Sequence, residues 1–261
     1  MTRGGEYRPE RNEMANQPNG HKPSVHIILQ AKGGVGKSYV AAIVAQYYRG
    51  RQFPVRCFDT DPGNATLAQY KALDVEHVGD LIQGGVINQK RFDPLIEKLL
   101  NGDGISIVDA GASTFLPFWN YVLENEVLPL LENQGRLVYM HCVVTGGQAM
   151  KDTLNGLDRL AQTTRQKSII VWLNEFFGEV REGNRPFEQF KLAQDLAPKL
   201  VGSVLIRKRN PDTFEDDVQQ MLRTRLTFDE AIVSEDFSLV SKQRLQIVRR
   251  ELFEQMDELQ L

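Results

Sequence analysis

The chain has 261 residues, 31 Lys and Arg against 34 Asp and Glu for a formal net charge of −3, and 41% hydrophobic against 25% charged residues. That is an ordinary globular composition, long enough to bury a core without staples. It excludes a disulfide scaffold, since Cys57 and Cys142 are the only cysteines and both stand in apolar runs. No apolar run approaches the roughly 18 residues of a membrane span. No secretory signal is expected and the expected location is cytoplasmic. The near-neutral charge argues against a dedicated nucleic-acid binder.

In chain order, residues 1–23 are polar and rich in Pro and Gly, which predicts a disordered tail ahead of a single domain over 24–261. VHIILQ (25–30) predicts a strand, and apolar residues at 40, 43, 44 and 47 predict a helix over 38–50. A strand follows at 54–59, then a helix over 64–73 with Asn64 as N-cap. Residues 74–88 are ambiguous. A part-helical stretch covers 89–100, with Asp93 as N-cap and Pro94 at the first helical position. Further strands are expected at 104–111, 136–144, 168–174 and 201–206. Further helices are expected from Pro117 with a break near Pro129, from 148 to about 162, and over 187–197, 213–224 and 239–260. Continuous apolar strands alternating with helices are the pattern of an α/β fold, a mostly parallel central sheet with helices on both faces.

Lys32-Gly33-Gly34-Val35-Gly36-Lys37-Ser38 lies between the first strand and first helix. A strict phosphate loop has Gly where Ala31 stands, so the match is to the variant KGGxGK(S/T), with its extra lysine. Glycines let backbone N–H groups converge on an anion, and the helix start adds its dipole. Lys37 suits the β- and γ-phosphates, and the Ser38 hydroxyl suits Mg²⁺. Lys32, at the loop entrance, is hard to aim at its own phosphates. It either reaches phosphates held by a facing subunit or is a solvated surface lysine.

Asp59 and Asp61 end the second strand, where open parallel sheets hold their ligands. Two carboxylates there suit Mg²⁺ ligation through water and the positioning of an attacking water; the alternative is a helix cap and a turn. Asp109, at the tip of ISIVD, is placed as a second metal-side carboxylate beside Ser38. Gly111 then offers its amide to the γ-phosphate. Asn174 ends SIIVWLN and offers its amide to an adenine edge, or caps a turn. Guanine motifs of the NKxD kind are absent. Arg207-Lys208-Arg209 makes a poor DNA patch and otherwise suits the base pocket. The apolar positions 245, 248, 252, 256 and 259 suit a helix docked on its own domain, the alternative being a partner surface. His26, His77 and His141 show no metal spacing.

These motifs resemble the deviant Walker A family of ParA/MinD-type ATPases, and within it the TraL-type proteins of plasmid conjugal transfer regions. The stretches that carry the resemblance include IILQAKGGVGKSYVAAIVAQY (27–47), DTDPGNAT (59–66), VDAGAST (108–114), VVTGGQA (143–149) and RLTFDEA (225–231). It implies a P-loop NTPase that binds ATP and Mg²⁺ and hydrolyses ATP slowly, a homodimeric switch formed with nucleotide. Lys32 then crosses to the partner's phosphates, Asp61 orients the hydrolytic water, Lys37 binds phosphate, and Ser38, Asp59 and Asp109 serve the metal. Tyr39 stands where the family has a second small hydroxyl residue beside the α-phosphate. DPGNAT is one residue shorter than the usual DPQGNAT, and DAGAS lacks the usual proline. Both departures imply slow or partner-dependent turnover. Implied partners are conjugation or plasmid-maintenance proteins. The alternatives are a plasmid segregation ATPase with non-specific DNA binding and a metabolic phosphoryl-transfer enzyme on the same fold.

Overall fold

The computed structural model describes residues 22–164 and 166–261, so the tail expected over 1–23 lies outside the described residues apart from Lys22 and Pro23. Seven strands form one sheet: β1 (Ser24–Leu29), β2 (Val55–Asp59), β3 (Val75–His77), β4 (Ile105–Asp109), β5 (Leu137–Thr145), β6 (Ile169–Asn174) and β7 (Leu200–Ile206). Their order is β7-β6-β5-β1-β4-β2-β3, every neighbouring pair parallel. β1 sits centrally, flanked by β4 and β5, so the chain reverses its direction of travel at the C-terminal end of β1. A ligand crevice opens at such a switch point.

Because side chains alternate along a strand, β1 sends Val25, Ile27 and Leu29 to one face and Ile28 to the other. The first face is covered by α2 (Asp93–Asn101), α3 (Phe115–Glu124), α4 (Val127–Asn133), α5 (Met150–Thr163) and α6 (Lys191–Leu196). The second is covered by α1 (Lys37–Arg49), α7 (Asp216–Arg223), α8 (Phe228–Val233) and α9 (Leu239–Glu258). Leu245, Val248, Leu252 and Met256 of α9 are buried against this second face, so the C-terminal helix docks on its own sheet.

A polar chain runs through this second layer. Trp172 Nε1 donates to His141 Nδ1 at 2.9 Å, and His141 Nε2 lies 2.9 Å from His26 Nδ1. An indole only donates. His141 therefore carries its proton on Nε2 and passes a hydrogen bond to His26, whose own Nε2–H reaches Ser24 Oγ at 3.0 Å. Burial lowers the His141 pKa to about 3, so the ring stays neutral.

Several elements differ from the sequence reading. Residues 64–73 form two short 3₁₀ turns, Leu67–Gln69 and Lys71–Leu73, and Asn64 caps neither. The buried Asp59 carboxylate takes the Ala68 N–H at 3.1 Å and bends this segment back over the sheet. The ambiguous 74–88 stretch supplies the edge strand β3 and a small hairpin at Ile82–Gln83 and Val86–Ile87. Phe92, not Asp93, occupies the N-cap of α2, and the Asp93 carboxylate accepts from Tyr121 Oη at 2.8 Å. The α3–α4 break falls at Asn125 and Glu126, with Glu126 left-handed, and Pro129 fits in the first turn of α4, where no helical N–H is lost. Over 187–197 only Lys191–Leu196 is α-helical, and 211–215 winds as a π turn before α7.

Candidate nucleotide site

The glycine loop joins β1 to α1. Gly36 is the N-cap of α1 at φ 101°. A Cβ there would meet Asn174 Nδ2 at 2.9 Å, so both backbone and space demand glycine. Asn174 clamps the loop from the tip of β6: its Nδ2 donates to Val35 O at 2.9 Å while its Oδ1 accepts from Phe176 N at 3.2 Å. Gln30, fully buried at the other end of the loop, donates to Val143 O at 2.8 Å and Thr153 O at 3.1 Å and accepts from Ala31 N. The loop is thus held by two side-chain amides before any ligand arrives.

Two adjoining cavities meet at the loop. The phosphate-side cavity, about 290 Å³, is lined by Gly33, Gly34, Gly36, Lys37, Ser38, Tyr39, Asp61, Asp109 and Gly111, among others. The second, about 240 Å³, shares Gly34, Gly36 and Tyr39, includes Asn174, and is walled by Phe176, Phe177, Ile206, Phe214, Val218 and Leu252. Tyr39 stands between the two, and its hydroxyl is buried with no hydrogen-bond partner among the described residues. Burial raises its pKa, keeping it a neutral donor.

Lys37 is buried, and its Nζ donates to Lys32 O at 3.1 Å. Burial lowers its pKa, while the charges of Asp109 and Asp61 act the other way. Asp109 is 3% exposed and its Oδ1 has no hydrogen-bond partner among the described residues. Burial pushes its pKa up to about 7, and Asp59 and Asp61 add to the rise, whereas the Ser38 hydroxyl and Lys37 oppose it. Asp59 is also raised by burial, against the N–H groups of Asp61 and Ala68 that its two oxygens accept. Asp61 Oδ1 accepts from Gly63 N and Asn64 N, both at 3.0 Å. A Cβ on Gly111 would meet the Asp61 side chain at 2.7 Å, so glycine there lets the two strand-tip loops close together.

The carboxylates therefore differ in freedom. Asp59 is spent on backbone, Asp61 keeps Oδ2 clear of hydrogen bonds to its own loop, and Asp109 holds an orphaned oxygen beside Ser38. Among the described residues no group of three or more His, Cys, Asp or Glu could hold a metal by itself. Mg²⁺ keeps several waters and takes few protein ligands alongside phosphate oxygens, so Ser38 and Asp109 fit it.

Lys32 lines neither cavity; its Nζ pairs with Asp152 Oδ2 of α5 at 3.0 Å on the surface. Of the basic triplet, Arg209 pairs with Glu251 and lies over Phe214, while Arg207 lines the apolar cavity. Sequence reasoning did not find Gln30, Asp152, the aromatic wall or Arg225, which lines the phosphate-side cavity. A lone polar residue ending an apolar strand was the available signal for Gln30; the others depend on contacts far apart in sequence.

Residues 26–242 match the CobQ/CobB/MinD/ParA nucleotide binding domain. The chain belongs to that family. It is 41% identical to Protein TraL of Escherichia coli over 234 residues, 89% of this chain and 97% of that protein, and 39% identical to a second Escherichia coli Protein TraL over the same extent. Among solved structures it is similar to the septum site-determining protein MinD of Pyrococcus horikoshii, complexed with Mg-ADP, at TM-score 0.56 and 15% identity, covering 91% of this chain and 97% of that one. The cell division ATPase MinD of Pyrococcus furiosus aligns at TM-score 0.55 and 16% identity, over 90% and 99% of the two chains. The seven-stranded parallel sheet is the MinD/ParA P-loop fold. No helix among the described residues is long and apolar enough to cross a membrane.

Proposed function

We propose that this CobQ/CobB/MinD/ParA-family chain is a cytoplasmic ATP-dependent switch that dimerises with nucleotide, hydrolyses ATP slowly and serves plasmid conjugal transfer. The observation that carries the nucleotide reading is one cavity holding the glycine loop, the buried Lys37 and the orphaned Asp109 oxygen, adjoining across Tyr39 an apolar cavity with aromatic walls. The similarity to Protein TraL supports the conjugal setting.

In this reading the amides of Gly33, Gly34, Val35 and Gly36 cradle the phosphates, and Lys37 exchanges the Lys32 carbonyl for a phosphate oxygen. Ser38 and Asp109 hold Mg²⁺, which supplies charge neutralisation on the phosphates when bound. Asp61 orients the attacking water through its free oxygen, with Gly111 giving its amide beside it, while Asp59 keeps that loop in place. Asn174 acts mainly by holding the loop, and Tyr39 separates base from phosphates. The apolar cavity, with Phe176, Phe177 and Phe214 on its walls, accepts a planar base, and the chain has no guanine motif of the NKxD kind, which favours adenine. Lys32 leaves Asp152 to reach the phosphates of the facing copy.

Light scattering after size exclusion tests this reading. Mg-ATP is expected to convert monomer to dimer, and Lys32→Ala to abolish the conversion while leaving ATP binding within about threefold. A dimer indifferent to nucleotide and to that substitution would overturn it.

A further inference from the structure

The phosphate-side cavity contains a cation that the glycine loop does not supply. Arg225 stands in the turn between α7 and α8 and lines that cavity with Lys37, Ser38, Asp61 and Tyr70. Its backbone is left-handed, at φ 55°. It is the residue that closes α7: Arg225 N and Leu226 N donate back to Leu222 O at 3.3 Å and Met221 O at 3.1 Å, the usual pair of bonds at a left-handed helix end. Its Nε donates to Gln69 Oε1 at 3.1 Å and its NH1 to Leu222 O at 2.5 Å, both neutral acceptors.

No carboxylate among the described residues pairs with Arg225, whereas Arg209, Arg244 and Arg249 pair with Glu251, Asp217 and Asp229. An uncompensated guanidinium is thus presented, half-buried, to a cavity whose floor is built for an anion. The unpartnered Tyr39 hydroxyl lines the same space. A guanidinium gains when it trades neutral acceptors for charged oxygens, since hydrogen bonds between ions are about twice as strong.

We propose that Arg225 is a phosphate-binding residue in cis: with Mg-nucleoside triphosphate in place, its guanidinium leaves Gln69 and Leu222 for the polyphosphate of its own protomer. The inference rests on the nucleotide reading above and adds a second cation, besides Lys37, within one chain. It also gives the C-terminal helices a direct hold on the ligand. α7 walls the apolar cavity, and Gln69 and Tyr70 follow Asp61 along the chain, so one side chain links the base wall, the phosphates and the segment behind Asp61.

Calorimetry of the full chain with Mg-ATPγS tests it, using wild type, Lys37→Ala, Arg225→Gln, Arg225→Lys and Gln69→Ala. Arg225→Gln is expected to weaken binding by about 10- to 100-fold. Arg225→Lys recovers part of that, as a point charge without the planar fork. Gln69 is exposed, and Gln69→Ala removes a resting partner of Arg225 while keeping the cation, so its binding stays equal or tightens. If wild type binds and Lys37→Ala abolishes binding, but Arg225→Gln stays within about twofold, the role of Arg225 is overturned and the nucleotide reading stands. The role is equally overturned if Gln69→Ala weakens binding as much as Arg225→Gln, for then Arg225 only braces the segment. If wild type itself gives no heat, the nucleotide reading has failed.

Discussion

Burial holds the Asp109 carboxyl near pKa 7 in the folded chain, against 3.8 for the ordinary group. Between those values the native state keeps a proton that the unfolded chain has released. This contribution to stability is therefore full below about pH 4, lost as pH rises toward about 7, and level beyond. Asp109→Asn has no proton to lose. The stability of the variant minus that of wild type is expected to grow by about 1.4 kcal/mol per pH unit at most across that window. Urea denaturation of the ligand-free protein from acid to neutral pH measures it, and a difference independent of pH counts against a buried, protonated Asp109. His141 has the opposite sign, because its pKa falls to about 3 and its contribution is lost on acidification. It is unchanged between the two proteins and cancels from the difference. If Asp109 holds Mg²⁺ as proposed, it does so ionised, and wild-type affinity for Mg-nucleotide is expected to rise through the same window in which the Asp109 contribution to stability falls.

At the scale of elements, β7 is an edge strand, a row of open backbone groups. Gln255 of α9 closes part of it: its side chain accepts from Leu205 N at 2.7 Å and donates to Leu205 O at 3.1 Å, as a neighbouring strand would. Gln255→Ala removes both hydrogen bonds and is expected to cost about 1–3 kcal/mol. Denaturation midpoints with an unchanged denaturant slope would show it. The same helix illustrates what was legible in the sequence. Its apolar spacing announced a docked face, and the mostly apolar runs announced β1, β2, β4, β5 and β6, because burial on both sides leaves few polar positions. The three residues of β3 carry too little pattern, and the turns over 64–73 follow from Asp59, whose carboxylate competes for backbone N–H groups that a helix would otherwise use. In the site, the glycine loop and strand-tip carboxylates were legible as contiguous strings. Arg225, more than 150 residues from Gln69 along the chain, was not: it joins them only when α7 folds over the sheet.

At the scale of the whole molecule, the resting place of Lys32 bears on the proposed dimer. In the single chain its ammonium pairs with Asp152, both side chains about half exposed, at 47% and 55%. Such pairs contribute at most about 1 kcal/mol, because water and salt already screen them. If Lys32 must cross to the facing protomer, this pair holds the monomer back by no more than that amount. Asp152→Asn removes the competing charge and leaves the shape of α5. The Mg-ATP-dependent dimer of the variant is expected to form up to about fivefold more tightly, with the gap narrowing in high salt. Sedimentation equilibrium across a concentration series, at low and high ionic strength, reads the effect. An unchanged or weakened dimer would mean that Asp152 does not compete for Lys32, and that the lysine is positioned for the facing protomer by other contacts.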